Sequence, residues 1–151
     1  MAIKFSTGLK NSVLDTESLK DSLDDGYIKV YSGTVPADAD AALGAAVLLN
    51  TYSDGGASPG AGNGLDMEAA AASGALLKES TQTWKGTAVA TGVATFWRYV
   101  QLADTGAASS SEKRIQGTIG GAGADLFVQS TTFTSAEEYT LDYFSVAVPN
   151  L

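Results

Sequence analysis

QTWKGTAVATGVATFWRYVQ (residues 82–101) alternates two kinds of side chain along its length. Its even positions carry Trp84, Gly86, Ala88, Ala90, Gly92, Ala94, Phe96 and Arg98. Its odd positions carry Thr87, Val89, Thr91, Val93, Thr95, Trp97 and Tyr99. β-Branched and aromatic residues at period two predict strand. At about 3.3 Å per residue, one strand of this length would exceed ~60 Å, too long for a small domain. A break near Thr91-Gly92 is therefore expected, giving two strands. The small even-numbered side chains leave room for a second backbone or sheet to approach closely.

The same periodicity extends outward. Tyr27, Lys29 and Tyr31 alternate with Ile28 and Val30, and Ser32-Gly33 ends that strand. TVPADADAAL (residues 34–43) is an acidic, alanine-rich connector, and AAVLLNTY (residues 45–52) is the next strand. SDGGASPGAGNG (residues 53–64) is too rich in Gly, Ser and Pro to hold a ladder, and predicts an exposed, mobile loop. Residues 65–79 read as two short strands turning at Ser73-Gly74. DTGAASSS (residues 104–111) is a loop, and RIQGTI (114–119) with DLFVQSTT (125–132) reads as a β-hairpin about a glycine-rich tip. YTLDYFSVAV (residues 139–148) reads as one long terminal strand with Phe144, Val146 and Val148 on one face, closed by Pro149.

Residues 5–25 differ. Phe5, Leu9 and Val13 are spaced by four, as are Leu19 and Leu23, which predicts a helical segment. A break is expected at Asp15-Thr16, with Thr16 capping the second helix and Asp24-Asp25-Gly26 ending it. The segment lies on the body as an amphipathic helical hairpin, or docks on a neighbouring subunit as an arm. The expected architecture is mainly β: an antiparallel sandwich or jelly-roll-like body of about eight strands over residues 26–151, with a helical segment or arm over residues 1–25, in one domain.

Histidine and cysteine are both absent from the 151 residues. They supply most general bases, activated nucleophiles and transition-metal ligands near neutral pH. Their absence removes thiol and Ser-His catalysis, zinc and haem sites and disulfides, and weights the reading towards a structural or binding protein. With 9 basic against 17 acidic residues the net charge is −8, which disfavours nucleic acid and anionic membranes as partners. Only 17% of residues are charged, below the usual quarter, as in proteins that cover much of their surface with partners or are simply rich in small residues. No apolar run reaches the roughly 20 residues of a membrane helix. The start, Met1-Ala2-Ile3-Lys4-Phe5-Ser6, lacks a signal-peptide pattern, so synthesis in the cytoplasm is expected.

Several constellations invite a chemical reading. Gly120 to Val128 (GGAGADLFV) fits the calcium nonapeptide G-G-x-G-x-D-x-U-x, with Asp125 as the ligand, but in one copy only; the alternative is a glycine turn needing positive φ. Asp38 with Asp40, and Asp24 with Asp25, are carboxylate pairs without EF-hand spacing, read as solvated acidic faces. Gly60, Gly62 and Gly64 lack the helix and nearby lysine of a phosphate loop. Arg98, in an otherwise apolar strand, pairs with a buried carboxylate, stacks on an aromatic ring or snorkels to the edge; an internal or subunit-spanning pair with an Asp or Glu is the expected form. Trp84 and Trp97 belong to the core or, with the 53–64 loop, form a glycan platform. No catalytic residue, cofactor ligand or metal ligand is assigned.

Read in order, GLKNSVLD (8–15), SLKDSLDDGYIKVYSGTVPADADAAL (18–43), WKGTAVATGVATFWR (84–98) and RIQGTIGGAGADLFV (114–128) resemble small proteins encoded in the structural-gene modules of tailed bacteriophages and prophages. The resemblance implies a virion component without enzymatic activity. Its expected role is capsid decoration or cement on the major capsid protein, as a homo-oligomer; a neck, collar or tail component is the alternative. A glycan- or receptor-binding module is the reading from a different class.

Overall fold

The computed structural model describes residues 3–147. The protein is mainly β, with 35% strand and 10% helix. Its centre is an eight-stranded sheet ordered β1-β8-β7-β2-β3-β5-β11, with β9 added alongside β8. The strands are β1 (Lys4–Phe5), β2 (Tyr27–Ser32), β3 (Val47–Asp54), β5 (Trp84–Thr87), β7 (Phe96–Val100), β8 (Ile115–Gly120), β9 (Leu126–Phe127) and β11 (Glu138–Thr140). Two two-stranded sheets accompany it: β4 (Ala75–Leu77) with β12 (Ser145–Ala147), and β6 (Gly92–Val93) with β10 (Thr132–Phe133). Their buried residues Leu76, Val146 and Phe133 join Trp97, Tyr99 and Ile28 in one core, which gives a layered, sandwich-like body.

The central strands are buried on both faces. In β7 all five residues are buried. Trp97 and Tyr99 face the core, opposite Val30 and Ile28 of β2. Phe96 and Arg98 face the other way, opposite Tyr31 and Lys29. The rings of Tyr31 and Phe96 stack on that second face at 5.1 Å. Phe144 closes the core side, lying 5.5 Å from Trp97 and 5.6 Å from Trp84 between ring centroids.

Four elements differ from expectation. The 82–101 stretch breaks over eight residues rather than at one point, and holds β5, β6 and β7. Across the break the chain changes partner: Ala88 N–H donates to Glu137 O, Val89 N–H to Leu49 O and Ala94 N–H to Thr131 O. The terminal stretch breaks for the same reason. Leu141 N–H donates to Trp84 O, whereas Phe144 O accepts from Lys78, so β11 and β12 serve different sheets. Val148 and Pro149 lie outside the described residues.

The expected hairpin over 114–132 is instead a parallel pair, Ile119 with Leu126 and Gly120 with Phe127. Asp125 reaches back to accept from the N–H and Oγ1 of Thr118 at 2.8 and 2.9 Å, which draws the chain across the strand end before it runs forward again. In the helical segment, Phe5 belongs to a strand, and the helices are α1 (Thr7–Asn11) and α2 (Leu19–Leu23) around a π-helical turn at Ser12–Thr16. The caps are Ser6 and Ser18, not Thr16. Leu9 and Leu23 are in the core, while Val13 and Leu14 are exposed.

The turn at Ser73-Gly74 is present, with φ of 51° and 76° and mutual hydrogen bonds between Ala72 and Ala75. Both central residues are left-handed, as a type I′ turn requires.

Candidate functional site

Two features of the body combine burial with chemistry. The first is a polar layer on the second face of the central sheet. Alternation along β8 puts Gln116 on the face of Arg98, its cross-strand neighbour, with Arg114 just before the strand. Arg98, Arg114 and Gln116 are at most 2% exposed. No Asp or Glu side chain among the described residues of the chain pairs with Arg98. Its Nε donates to Gln116 Oε1 at 2.8 Å, and its Nη2 donates to the backbone oxygens of Ala41 and Asp38 at 2.8 and 3.2 Å.

The buried carboxylate belongs to Arg114 instead. Asp104 accepts from its Nε and Nη2 at 2.5 and 2.8 Å. Arg114 also donates to Ala39 O and Ala107 O, and Gln116 Nε2 donates to Pro36 O at 2.8 Å. The acidic connector is thus laid over the sheet and held by its main-chain oxygens. The face buries two guanidiniums but one carboxylate, bonded to Arg114 alone, and Arg98 Nη1 has no hydrogen-bond partner among the described residues. Burial, then repulsion from Arg114, lowers the pKa of Arg98; burial pushes Tyr31, beside it, up to about 12.

Arg114 and Gln116 were readable by the logic applied to Arg98: polar side chains at period two in an otherwise apolar strand. Asp104 was hidden because it stands in a Gly/Ser-rich loop, where carboxylates are normally solvated.

The second feature is a groove of about 610 Å³ between the two ends of the main sheet. β9 forms one wall, β11 and the chain after it form the other, and Tyr52, Phe133 and Phe144 lie at its floor. Phe127 and Tyr143 stand on its rim, 64% and 69% exposed. The lining carries two carboxylates, Asp125 and Asp142, and no Lys or Arg. Burial raises the Tyr52 hydroxyl to about 12, so it is a neutral donor at physiological pH. The groove could not be read from the sequence, because its walls are brought together only when the sheet forms.

The remaining sequence candidates are dispersed. Trp84 and Trp97 are 0% and 1% exposed, with their indole N–H groups bonded to Gln82 and to Thr118 O, so they offer no glycan platform. Asp125 is occupied by Thr118, and of the glycines around it only Gly123 has positive φ. Among the described residues no three carboxylates gather to hold a metal ion.

Asp40 accepts from Thr7 N–H and Oγ1 at 2.8 and 2.6 Å, beside the Ser6 cap of α1, and the Thr7 hydroxyl holds its carboxyl below the usual range. Asp38 Oδ1 accepts from Asp40 and Ala41 N–H. Asp24 pairs with Lys20 and accepts from Met67 N–H, and Asp25 accepts from Gly64 N–H. These aspartates fasten loops while remaining exposed or half-exposed to solvent. The 53–64 loop is fastened too: the Tyr27 hydroxyl meets Gly60 O and Asn63 Oδ1, both at 2.7 Å. No helix among the described residues is long and apolar enough to cross a membrane.

No protein-family model, curated protein or solved structure matches the chain.

Proposed function

We propose that this chain is a non-enzymatic structural protein of a tailed-bacteriophage virion, acting as a decoration or cement protein on the capsid. The observation that carries the reading is the groove with Phe127 and Tyr143 on its rim: a concave surface of mixed polar and apolar lining suited to burying a partner's backbone and side chains, with no base–nucleophile pair in its lining. The sequence resemblance supports the same class. The partners on this reading are the major capsid protein and further copies of the chain, with closed symmetry around the capsid axes. Neither nucleic acid nor membrane is a partner, since the net charge is −8 and two of the nine basic residues are buried in the polar layer. A position in the neck, collar or tail is the variant reading within the same class.

The test is cryo-electron microscopy of the particle that contains the chain. Density at symmetry positions on the capsid lattice is the expected result. Density confined to neck or tail moves the assignment to the variant reading, and absence from every particle refutes the class.

A further inference from the structure

We infer that the groove between β9 and β11 accepts an extended strand from a partner polypeptide, one that alternates apolar residues with lysine or arginine. The inference deepens the virion reading by naming the contact, and it rests first on the hydrogen-bonding edges that face the groove. Among the described residues β11 pairs with β5 alone. Glu137 O accepts from Ala88 N–H and Leu141 N–H donates to Trp84 O, so residues 137, 139 and 141 turn their backbone groups to β5. In an antiparallel pair the alternate residues face away, which leaves the N–H and C=O of Glu138 and Thr140 on the open side.

Among the described residues β9 pairs with β8 alone. Val128 N–H donates to Gly120 O, so Leu126 and Val128 address β8 and the backbone of Phe127 points outward. None of these three outward residues has a backbone partner among the described residues. Two free edges of one sheet therefore line one groove. A free edge is the standard acceptor for an added strand, in which backbone bonds give affinity and alternate side chains give specificity.

The side chains state the partner's character. Phe127, Tyr143 and the floor ring Phe133 offer apolar contact. Asp142 is exposed and has no hydrogen-bond or ion-pair partner among the described residues, and no cation lines the groove. A cation on the incoming strand would complete Asp142, whereas an acidic strand would be repelled. Copies of this chain, each at −8, are poorer candidates than a basic segment of another protein.

The test uses the full chain and a fluorescein-labelled peptide of sequence KVTVKV, with EVTVEV as its acidic counterpart, followed by anisotropy at low salt. Because the backbone supplies much of the affinity, binding tolerates an imperfect sequence. The basic peptide is expected to bind below about 1 mM and the acidic one at least tenfold more weakly. Asp142→Lys and Phe127→Ser, both at exposed positions, should each weaken the basic peptide at least tenfold. Thr140→Pro removes an N–H that β5 does not use and should do the same.

Unchanged fluorescence of the buried tryptophans checks that each variant is folded. No binding of the basic peptide at about 1 mM overturns the inference. So does binding that survives all three substitutions, or competition for the groove by cellohexaose in place of the peptide. Particle binding separates the two proposals: a Phe127→Ser/Asp142→Lys chain that still decorates the particle refutes the strand site and leaves the virion reading standing. A chain that takes the peptide but no particle does the reverse.

Discussion

Replacing Asp104 by alanine leaves Arg98 and Arg114 buried on one sheet face with no buried carboxylate among the described residues. Asp104 gives Arg114 a two-pronged contact at 2.5 and 2.8 Å and also accepts from Gly106 N–H at 2.7 Å. Both members of the pair are 1% exposed, so water cannot replace the lost oxygens without opening the connector. Removing one partner of a buried pair costs about 3–5 kcal/mol, and the second guanidinium places this case at the upper end. For a domain of this size each kcal/mol lowers Tm by roughly 2–4 °C, so a fall of about 10–15 °C is expected.

Urea unfolding followed by tryptophan fluorescence is the assay, because Trp84 and Trp97 are both buried. The midpoint should fall with the slope unchanged. Arg114→Met in the same background should cost far less than it does alone, with a coupling of about 2 kcal/mol or more. A loss below about 1 kcal/mol for Asp104→Ala would refute the reasoning, since that is the value of a solvated ion pair.

Three further outcomes are expected. Gly86→Ala puts a Cβ 2.0 Å from Thr51 O, so β3 and β5 must separate; a loss of about 3 kcal/mol in the same urea assay is expected, and a neutral result would mean the two strands are not in close register. Tyr31 and Tyr52 are each raised to about 12 by burial, so their contribution is complete below the unfolded-state value near 10 and is lost as pH rises towards 12; Tm should fall across that window, and a flat profile between pH 10 and 12 would contradict their burial. Ser73→Asn suits the left-handed φ of 51° better and should add about 0.5 kcal/mol, read as a small rise in urea midpoint.

How far the fold could be read in advance depended on what each residue's partner was. Strand β2 ends at Ser32 where the period-two pattern stops, and the Ser73-Gly74 turn is where its dipeptide places it. These features are set by local chemistry. The sequence shows the break in 82–101 only as a point near Thr91-Gly92 and hides the one in 139–148 altogether, because a strand that changes partner keeps its alternation while its ladder ends. The 114–132 pair was read as antiparallel because glycine loops usually reverse a chain; a single carboxylate, Asp125, redirects it. The polar layer was half visible. Arg98 stood out, but its neutral partner Gln116 and the main-chain oxygens above it carry no sequence signature, and the one buried carboxylate went to Arg114.

The way the connector is fastened has a consequence for how this protein can change. Pro36, Asp38, Ala39 and Ala41 are each gripped by a carbonyl oxygen, a group that every amino acid possesses. Exposed side chains on this strip can therefore be rewritten, in charge or in size, while the grip stays intact. Ala39, which is fully buried, the Asp38 carboxylate that accepts from Asp40 and Ala41 N–H, and the Asp40 contact to Thr7 are the fixed points. Length is a different matter: one inserted or deleted residue between Pro36 and Ala41 would shift every oxygen out of register with Arg98, Arg114 and Gln116 at once. The strip is permissive to substitution and intolerant of indels, which makes its outer side a natural place to graft new surface properties onto the body.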